Sequence, residues 1–215
     1  MKEIIIVGCG SVGMEIYSTI RWINWIQENK GAEPKYNILG FIDDLHYNSE
    51  IETRVKDLPV LGSIKEWKPK GQEVYALGIA APKSKELIAT KLEARGCKFE
   101  TIIAPNSLVS PFAEIGTGCF ITAYSIGGDA KIGRFVNIMG SMIGGGAIIG
   151  DYSTTLGFAN IPAGKLGKRV YVGSHAVILD VKVGDDAIVC VGSIVVCNVR
   201  AGTKVFGNPA KRVDW

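Results

Sequence analysis

Gly8-Cys9-Gly10-Ser11-Val12-Gly13 follows the aliphatic run Glu3-Ile4-Ile5-Ile6-Val7 at once and leads into a helical pattern over residues 12–27. Glycines at this spacing, between a strand and a helix, form a turn whose backbone N–H groups and helix N-terminus hold an anion. Three readings stay open on these residues alone: a dinucleotide, a nucleotide-sugar diphosphate, and a structural tight turn. A dinucleotide site wants an acid about 20 residues further on, at the end of the second strand. Asp43 and Asp44 do end such a strand, but 30 residues after Gly13. Their carboxylates could accept hydrogen bonds from a base or ribose. A solvated strand end with a helix-capping role is the plainer alternative.

Other reactive side chains are few. The chain has two histidines, His46 and His175. His46 falls in a polar loop after Asp44 and reads as solvated. His175 comes two residues after Gly173 and reads as an outward-facing residue. Five cysteines, at 9, 97, 119, 190 and 197, are scattered, with no CxxC and no zinc-like spacing. They read as reduced thiols of a cytoplasmic protein, and no metal site is expected. A net charge of +3, with no basic stripe, argues against nucleic acid as a partner. Met1-Lys2-Glu3 leads directly into a strand-like run rather than a signal peptide. No stretch reaches the ~18 apolar residues of a membrane span, so no membrane insertion is expected.

These residues need elements to hold them. Residues 3–7, 36–44, 74–79 and 99–103 read as strands, and 58–62 as a short extended piece before a helical turn at 64–67. A second helix is expected over 83–95, opened by Pro82 and closed by Gly96. Alternation of strand and helix indicates a small parallel α/β sheet, a Rossmann-like unit.

From Val109 onward the rule changes. Aliphatic residues recur at every fifth or sixth position, with one double step from Ile149 to Ile161: Val109, Ile115, Ile121, Ile126, Ile132, Ile138, Ile143, Ile149, Ile161, Leu166, Val172, Ile178, Val183, Val189 and Val195. That period fits neither helix nor single strand, and it is a signature of a parallel β-helix. Three steps add to 17 or 18 residues, one coil of a three-sided prism whose aliphatic rungs point inward. The glycines that follow many rungs, such as Gly116, Gly133, Gly144 and Gly173, are expected at corners where the chain turns.

The rungs followed by Gly207-Asn208-Pro209-Ala210-Lys211 resemble the left-handed β-helix acyltransferases. The glycine-rich α/β unit, Gly40-Phe41-Ile42-Asp43-Asp44 and Pro59-Val60-Leu61-Gly62 narrow the likeness. Over essentially the whole chain the sequence resembles bacterial sugar acetyltransferases of the sialic acid O-acetyltransferase and UDP-4-amino-sugar N-acetyltransferase family. The resemblance implies a left-handed prism, against the usual right-handed crossover, and a cytoplasmic homotrimer with acetyl-CoA as co-substrate between neighbouring prisms. Residues 1–103 would form the nucleotide-sugar-binding α/β domain and 104–215 the acyl-CoA domain. The nucleotide sugar would lie at Gly8, Gly10, Ser11, Asp43 and Asp44. Gly164, Gly173, Ser174, Val191, Gly207, Asn208, Pro209 and Lys211 would line the CoA channel, with backbone N–H groups near Gly164 and Gly173 binding the thioester carbonyl.

The chain departs from the family at the catalytic base. The family histidine, flanked by an acid, falls on Gly145 within Gly144-Gly145-Gly146, and a second family histidine falls on Thr154. His175 remains as a candidate for a CoA contact or a displaced catalytic role. A positioned base contributes typically about 10²–10⁴-fold. A sugar hydroxyl needs it more than a neutral amine does. The missing base therefore favours an amine acceptor, and with the resemblance it implies N-acetylation of a dTDP- or UDP-linked 4-amino-sugar for surface polysaccharide or glycan synthesis. A sugar O-acyltransferase and a catalytically silent trimeric binding protein are the alternatives. The glycine run either enlarges an acceptor pocket or is a flexible corner.

Overall fold

The computed structural model describes residues 1–45 and 58–214, so His46 lies outside the described residues. The first part is a five-stranded, all-parallel sheet in the order β3-β2-β1-β4-β5. Its strands are β1 (Lys2–Val7), β2 (Tyr36–Ile42), β3 (Val60–Gly62), β4 (Val74–Leu77) and β5 (Lys98–Phe99). Central β1 ends in the aliphatic run Ile4–Val7 because both its faces are covered there. Ile4 and Ile6 pack with Ile16 and Ile20 of helix α1 (Ser11–Asn29), whereas Ile5 and Val7 pack with Ala89 and Leu92 of helix α2 (Pro82–Ala94). Pro82 opens α2, and Gly96 takes a φ of 93° just past its end, as the sequence predicts.

Residues 99–103, expected as one strand, divide between two sheets. β5 ends at Phe99, and the next strand, β6 (Ile102–Ile103), pairs with Phe120 and Ile121 of the second part. Between them the N–H of Glu100 donates to Tyr75 O at 2.8 Å, and Thr101 Oγ1 donates to Gly116 O at 2.9 Å. The chain thus steps from one sheet to the other within two residues.

The second part is a parallel β-solenoid with three faces of six, five and eight strands, closed by one antiparallel strand at the C-terminal end. Rungs stack in register: Val109, Ile126, Ile143 and Ile161 on one face, and Ile115, Ile132, Ile149, Leu166 and Val183 on the next. They form one continuous core. On the third face the ladder is interrupted by Thr155, buried between Ile138 and Val172 and accepting a 2.9 Å hydrogen bond from Ser141 Oγ.

The glycines after the rungs do not turn the chain. A Cβ on Gly116 would stand 2.6 Å from Gly133 O, and one on Gly173 2.6 Å from Val191 N. They are small because the next coil passes directly against them. Left-handed backbone falls two residues later. Phe135, Tyr152, Arg169 and Asp186 line one edge with φ of 54–60°, one residue per coil.

Helix α2 lies along that edge. Its Glu93 pairs with Arg134, and its Glu86 with Arg169 at 3.2 Å. The two glutamates span seven residues of helix, about 10.5 Å, and the two arginines span two coils, about 9.6 Å at strand spacing. The matched spans set the helix antiparallel to the direction of coiling. Phe99 meets Phe135 edge-on at 5.0 Å, and Phe135 stacks on Tyr152 at 5.5 Å, sealing the sheet to the solenoid.

Candidate functional site

Gly8, Gly10, Ser11, Asp43 and Asp44 gather at the carboxyl ends of β1 and β2, where open parallel sheets receive ligands. Gly8 adopts a φ of 90°, and a Cβ there would stand 2.9 Å from Ile79 Cδ1. Gly10 and Ser11 are exposed at the start of α1, and among the described residues no side chain caps the helix. Asp43 is buried against the turn. Its Oδ2 accepts from the N–H of Cys9 at 2.9 Å and its Oδ1 from Leu45 N at 2.8 Å. One N–H of the turn is therefore already answered by a carboxylate, and an incoming anion would meet the Gly10–Ser11 edge. Asp44 is exposed and organises the next loop. Its Oδ1 accepts from Ser63 Oγ at 2.6 Å and from Lys65 N at 3.0 Å. Partial desolvation works against the charged form, but the Ser63 hydroxyl and the Lys65 N–H hold this carboxyl below its ordinary range.

The residues expected at the acyl donor sit on the last coils. Gly173 and Val191 touch across adjacent coils, with Ser174 half-buried and Val191 exposed beside them. The N–H of Gly173 donates to Val189 O at 2.8 Å, so it is committed to the coil ladder and not open to a thioester carbonyl. Gly164 is buried against Ile161 and Ile178. Gly207, Asn208, Pro209 and Lys211 form the tip of the terminal hairpin, with a cis Asn208–Pro209 peptide. His175 stands on an exposed corner at a φ of 59°, its ring stacked on Phe158 at 5.0 Å, and Tyr124 extends this aromatic column.

The coil at Gly144–Gly146 is bare. A Cβ on Gly145 would meet only Gly128 O, at 3.0 Å, and Gly146 has a φ of 72° with nothing around its Cβ position. Gly144 is pressed against the Pro162 backbone. Thr154, at the second family histidine, is fully buried, and its Oγ1 donates to Ala80 O at 2.7 Å.

Lys85 escaped the sequence reading. It is fully buried on the face of α2 shared with Ala89 and Leu92. Its Nζ donates to Ser153 O at 2.9 Å and to Thr154 Oγ1 at 2.8 Å, with no carboxylate in contact among the described residues. Burial lowers its pKa to about 7, against a smaller opposing influence of Cys119. A neutral amine has two N–H donors and finds two acceptors here. The available signal was a lysine at i with apolar partners at i+4 and i+7. Burial also pushes the nearby Cys119 thiol up to about 11.

No family model matches the chain. Two curated relatives do: the bifunctional protein GlmU of Acinetobacter baylyi, 26% identical over 60% of this chain, and that of Rhizobium rhizogenes, 25% identical over 52%. The matches span only 32% and 25% of those relatives. Solved structures match the whole chain. The acetyltransferase domain of PglB from Neisseria gonorrhoeae superposes with a TM-score of 0.83 at 20% identity, covering 99% of this chain and 100% of that one. A histidine-to-alanine variant of GDP-perosamine N-acetyltransferase from Caulobacter crescentus, in complex with CoA and GDP-perosamine, gives 0.82 at 20%, covering 100% and 98%. WeeI from Acinetobacter baumannii gives 0.78 at 25%, covering 99% and 100%. The fold is that of the left-handed β-helix sugar N-acetyltransferases.

Proposed function

We propose that this chain is an acyltransferase that moves an acetyl group from acetyl-CoA to the amine of a nucleotide-linked 4-amino-sugar. The observation that carries the reading is likeness over both parts at once, the α/β unit as well as the solenoid, to an N-acetyltransferase holding CoA and GDP-perosamine. In this reading residues 1–103 are a Rossmann-like domain that holds the nucleotide sugar at the Gly10–Ser11 edge. Residues 104–215 carry the acyl donor along Ser174, Val191 and the 207–211 hairpin. The chain works as a cytoplasmic homotrimer in surface polysaccharide or glycan synthesis, with donor and acceptor meeting between subunits.

The bare Gly144–Gly146 corner favours an amine acceptor. Among the described residues no imidazole stands there to take a hydroxyl proton. An amine that is neutral in a useful fraction attacks the thioester carbonyl itself; the C–S bond breaks, CoA leaves as the thiolate, and the amine proton passes to that thiolate or to water. What the chain supplies is placement of two bound substrates. His175, the other candidate, stands on an exposed corner with its ring stacked on Phe158 at 5.0 Å.

The test is CoA release from acetyl-CoA with a panel of dTDP-, UDP- and GDP-linked 4-amino-sugars and their hydroxyl counterparts. Turnover on an amine, with dTDP or UDP carriers preferred, is expected. Turnover on hydroxyl sugars alone would overturn the N-acetyl reading. The same missing imidazole favours a second reading, a silent binding protein, which predicts acetyl-CoA binding by calorimetry and no turnover at all.

A further inference from the structure

The loop between β4 and α2, residues 78–81, touches the glycine turn on one side and the solenoid on the other. Toward the turn, Gly78 N donates to Val7 O at 2.8 Å, and a Cβ on Gly78 would stand 2.7 Å from Gly13 Cα. Ile79 packs over Gly8. Toward the solenoid, Asn137 Nδ2 donates to Ile79 O at 3.0 Å, and Thr154 Oγ1 donates to Ala80 O at 2.7 Å. Lys85, one turn into α2, completes the set by donating to Thr154 Oγ1 and Ser153 O.

These side chains do not belong to the solenoid core. Asn137 and Thr154 are register partners on adjacent coils, beside the inward-facing Ile138 and Thr155. Phe120, in the same column one coil earlier, shows that an apolar residue suits this covered face. Polar residues are needed one coil later because loop carbonyls face the buried interface and must be answered. Asn137 is 1% exposed, and its Oδ1 has no partner among the described residues. A buried amide kept half-satisfied is a cost tolerated for its single bond to the loop.

We propose that Asn137, Thr154 and Lys85 are positioning residues: they register the 78–81 loop on the coils and so fix the height of the Gly8–Gly13 turn relative to the acyl-donor coils. The catalytic half of this proposal rests on the acetyl-transfer reading. The mechanical half does not.

The test separates the two halves. Thr154→Val keeps the shape and removes the hydroxyl; Thr154→Ser restores it. By hydrogen–deuterium exchange, Thr154→Val should speed exchange about tenfold in peptides covering residues 8–13 and 78–81, with residues 177–195 unchanged. Thr154→Ser should match the parent. An unchanged 8–13 segment in Thr154→Val, or equal loosening in Thr154→Ser, would overturn the proposal. If Thr154→Val does not fold, Asn137→Ala is measured under the same criteria. In steady state, Thr154→Val should raise the acceptor KM about tenfold with the acetyl-CoA KM unchanged and with rescue by Thr154→Ser. Both KM values rising together would refute a positioning role. If the parent protein turns over no nucleotide amino-sugar, the acetyl-transfer reading fails, and exchange alone decides the mechanical link.

Discussion

Replacing Lys85 by methionine measures what its burial costs. The ordinary lysine pKa is 10.5, and in the folded chain it falls to about 7. The unfolded chain therefore holds this proton below 10.5, and the folded chain only below about 7. Between those values unfolding takes up a proton, so stability rises with pH across the window. The penalty is full below about 7 and vanishes above 10.5. At about 1.4 kcal/mol per pH unit, the window of 3.5 units corresponds to roughly 5 kcal/mol. The Cys119 thiol, pushed up by burial from 9.0 to about 11, makes unfolding release a proton above pH 9 and works the other way there, but both proteins carry it and it cancels in their difference. Methionine keeps the straight chain and removes the charge. It also abandons the bonds to Ser153 O and Thr154 Oγ1, a loss of about 1–3 kcal/mol. At pH 6 the variant should be more stable than the parent by about 2–4 kcal/mol, and at pH 10.5 less stable by about 1–3 kcal/mol. For a chain of this size each kcal/mol moves Tm by about 2–4 °C. Scanning calorimetry of both proteins from pH 6 to 10.5 should show the two Tm curves crossing. Curves that run parallel would refute the claim that this lysine is neutral when folded.

The remaining expectations concern the bare coil and the seam between the two parts. Gly145→Ala should cost under about 1 kcal/mol, because its Cβ meets only one carbonyl oxygen. Gly144→Ala should cost about 3 kcal/mol or more, because its Cβ would run into the Pro162 carbonyl group; urea unfolding of the pair checks this. Gly145→His should raise turnover on hydroxyl acceptors at least about tenfold while leaving acetyl-CoA affinity unchanged, measured by CoA release and calorimetry. At the seam, Phe135→Ala should cost about 3–5 kcal/mol, whereas Glu86→Gln, at a half-exposed pair, should cost less than about 1 kcal/mol. A reversal of that order would mean that charge rather than packing holds α2.

The solenoid was legible because its period places every rung inside, and inward aliphatics cannot be exchanged for polar residues without leaving a trace. Thr155 is such a trace, an interruption that Ser141 satisfies locally. The glycines misled for a physical reason: smallness answers two needs, free φ and close approach, and sequence alone does not tell them apart. Residues 99–103 misled because a short apolar run carries no label for which sheet it joins. The glycine turn and its acids were found at the right strand ends. The bond from Cys9 N–H to Asp43 was not legible, since it joins residues 34 apart and depends on how two strands lie side by side. Lys85 was hidden because a lysine on a helix is read as solvated by default.

The match between α2 and two coils bears on how such chains diversify. Inserting one coil between Arg134 and Arg169 would move the arginines apart by a strand spacing that a helix of fixed pitch cannot follow. The early coils are therefore locked in number by the length of a helix that lies outside them. Beyond Asp186 none of the hydrogen bonds or ion pairs among the described residues reaches α2. The junction therefore sets no limit on coil number at the C-terminal end, where the solenoid can lengthen one layer at a time without disturbing the seam that aligns its two halves.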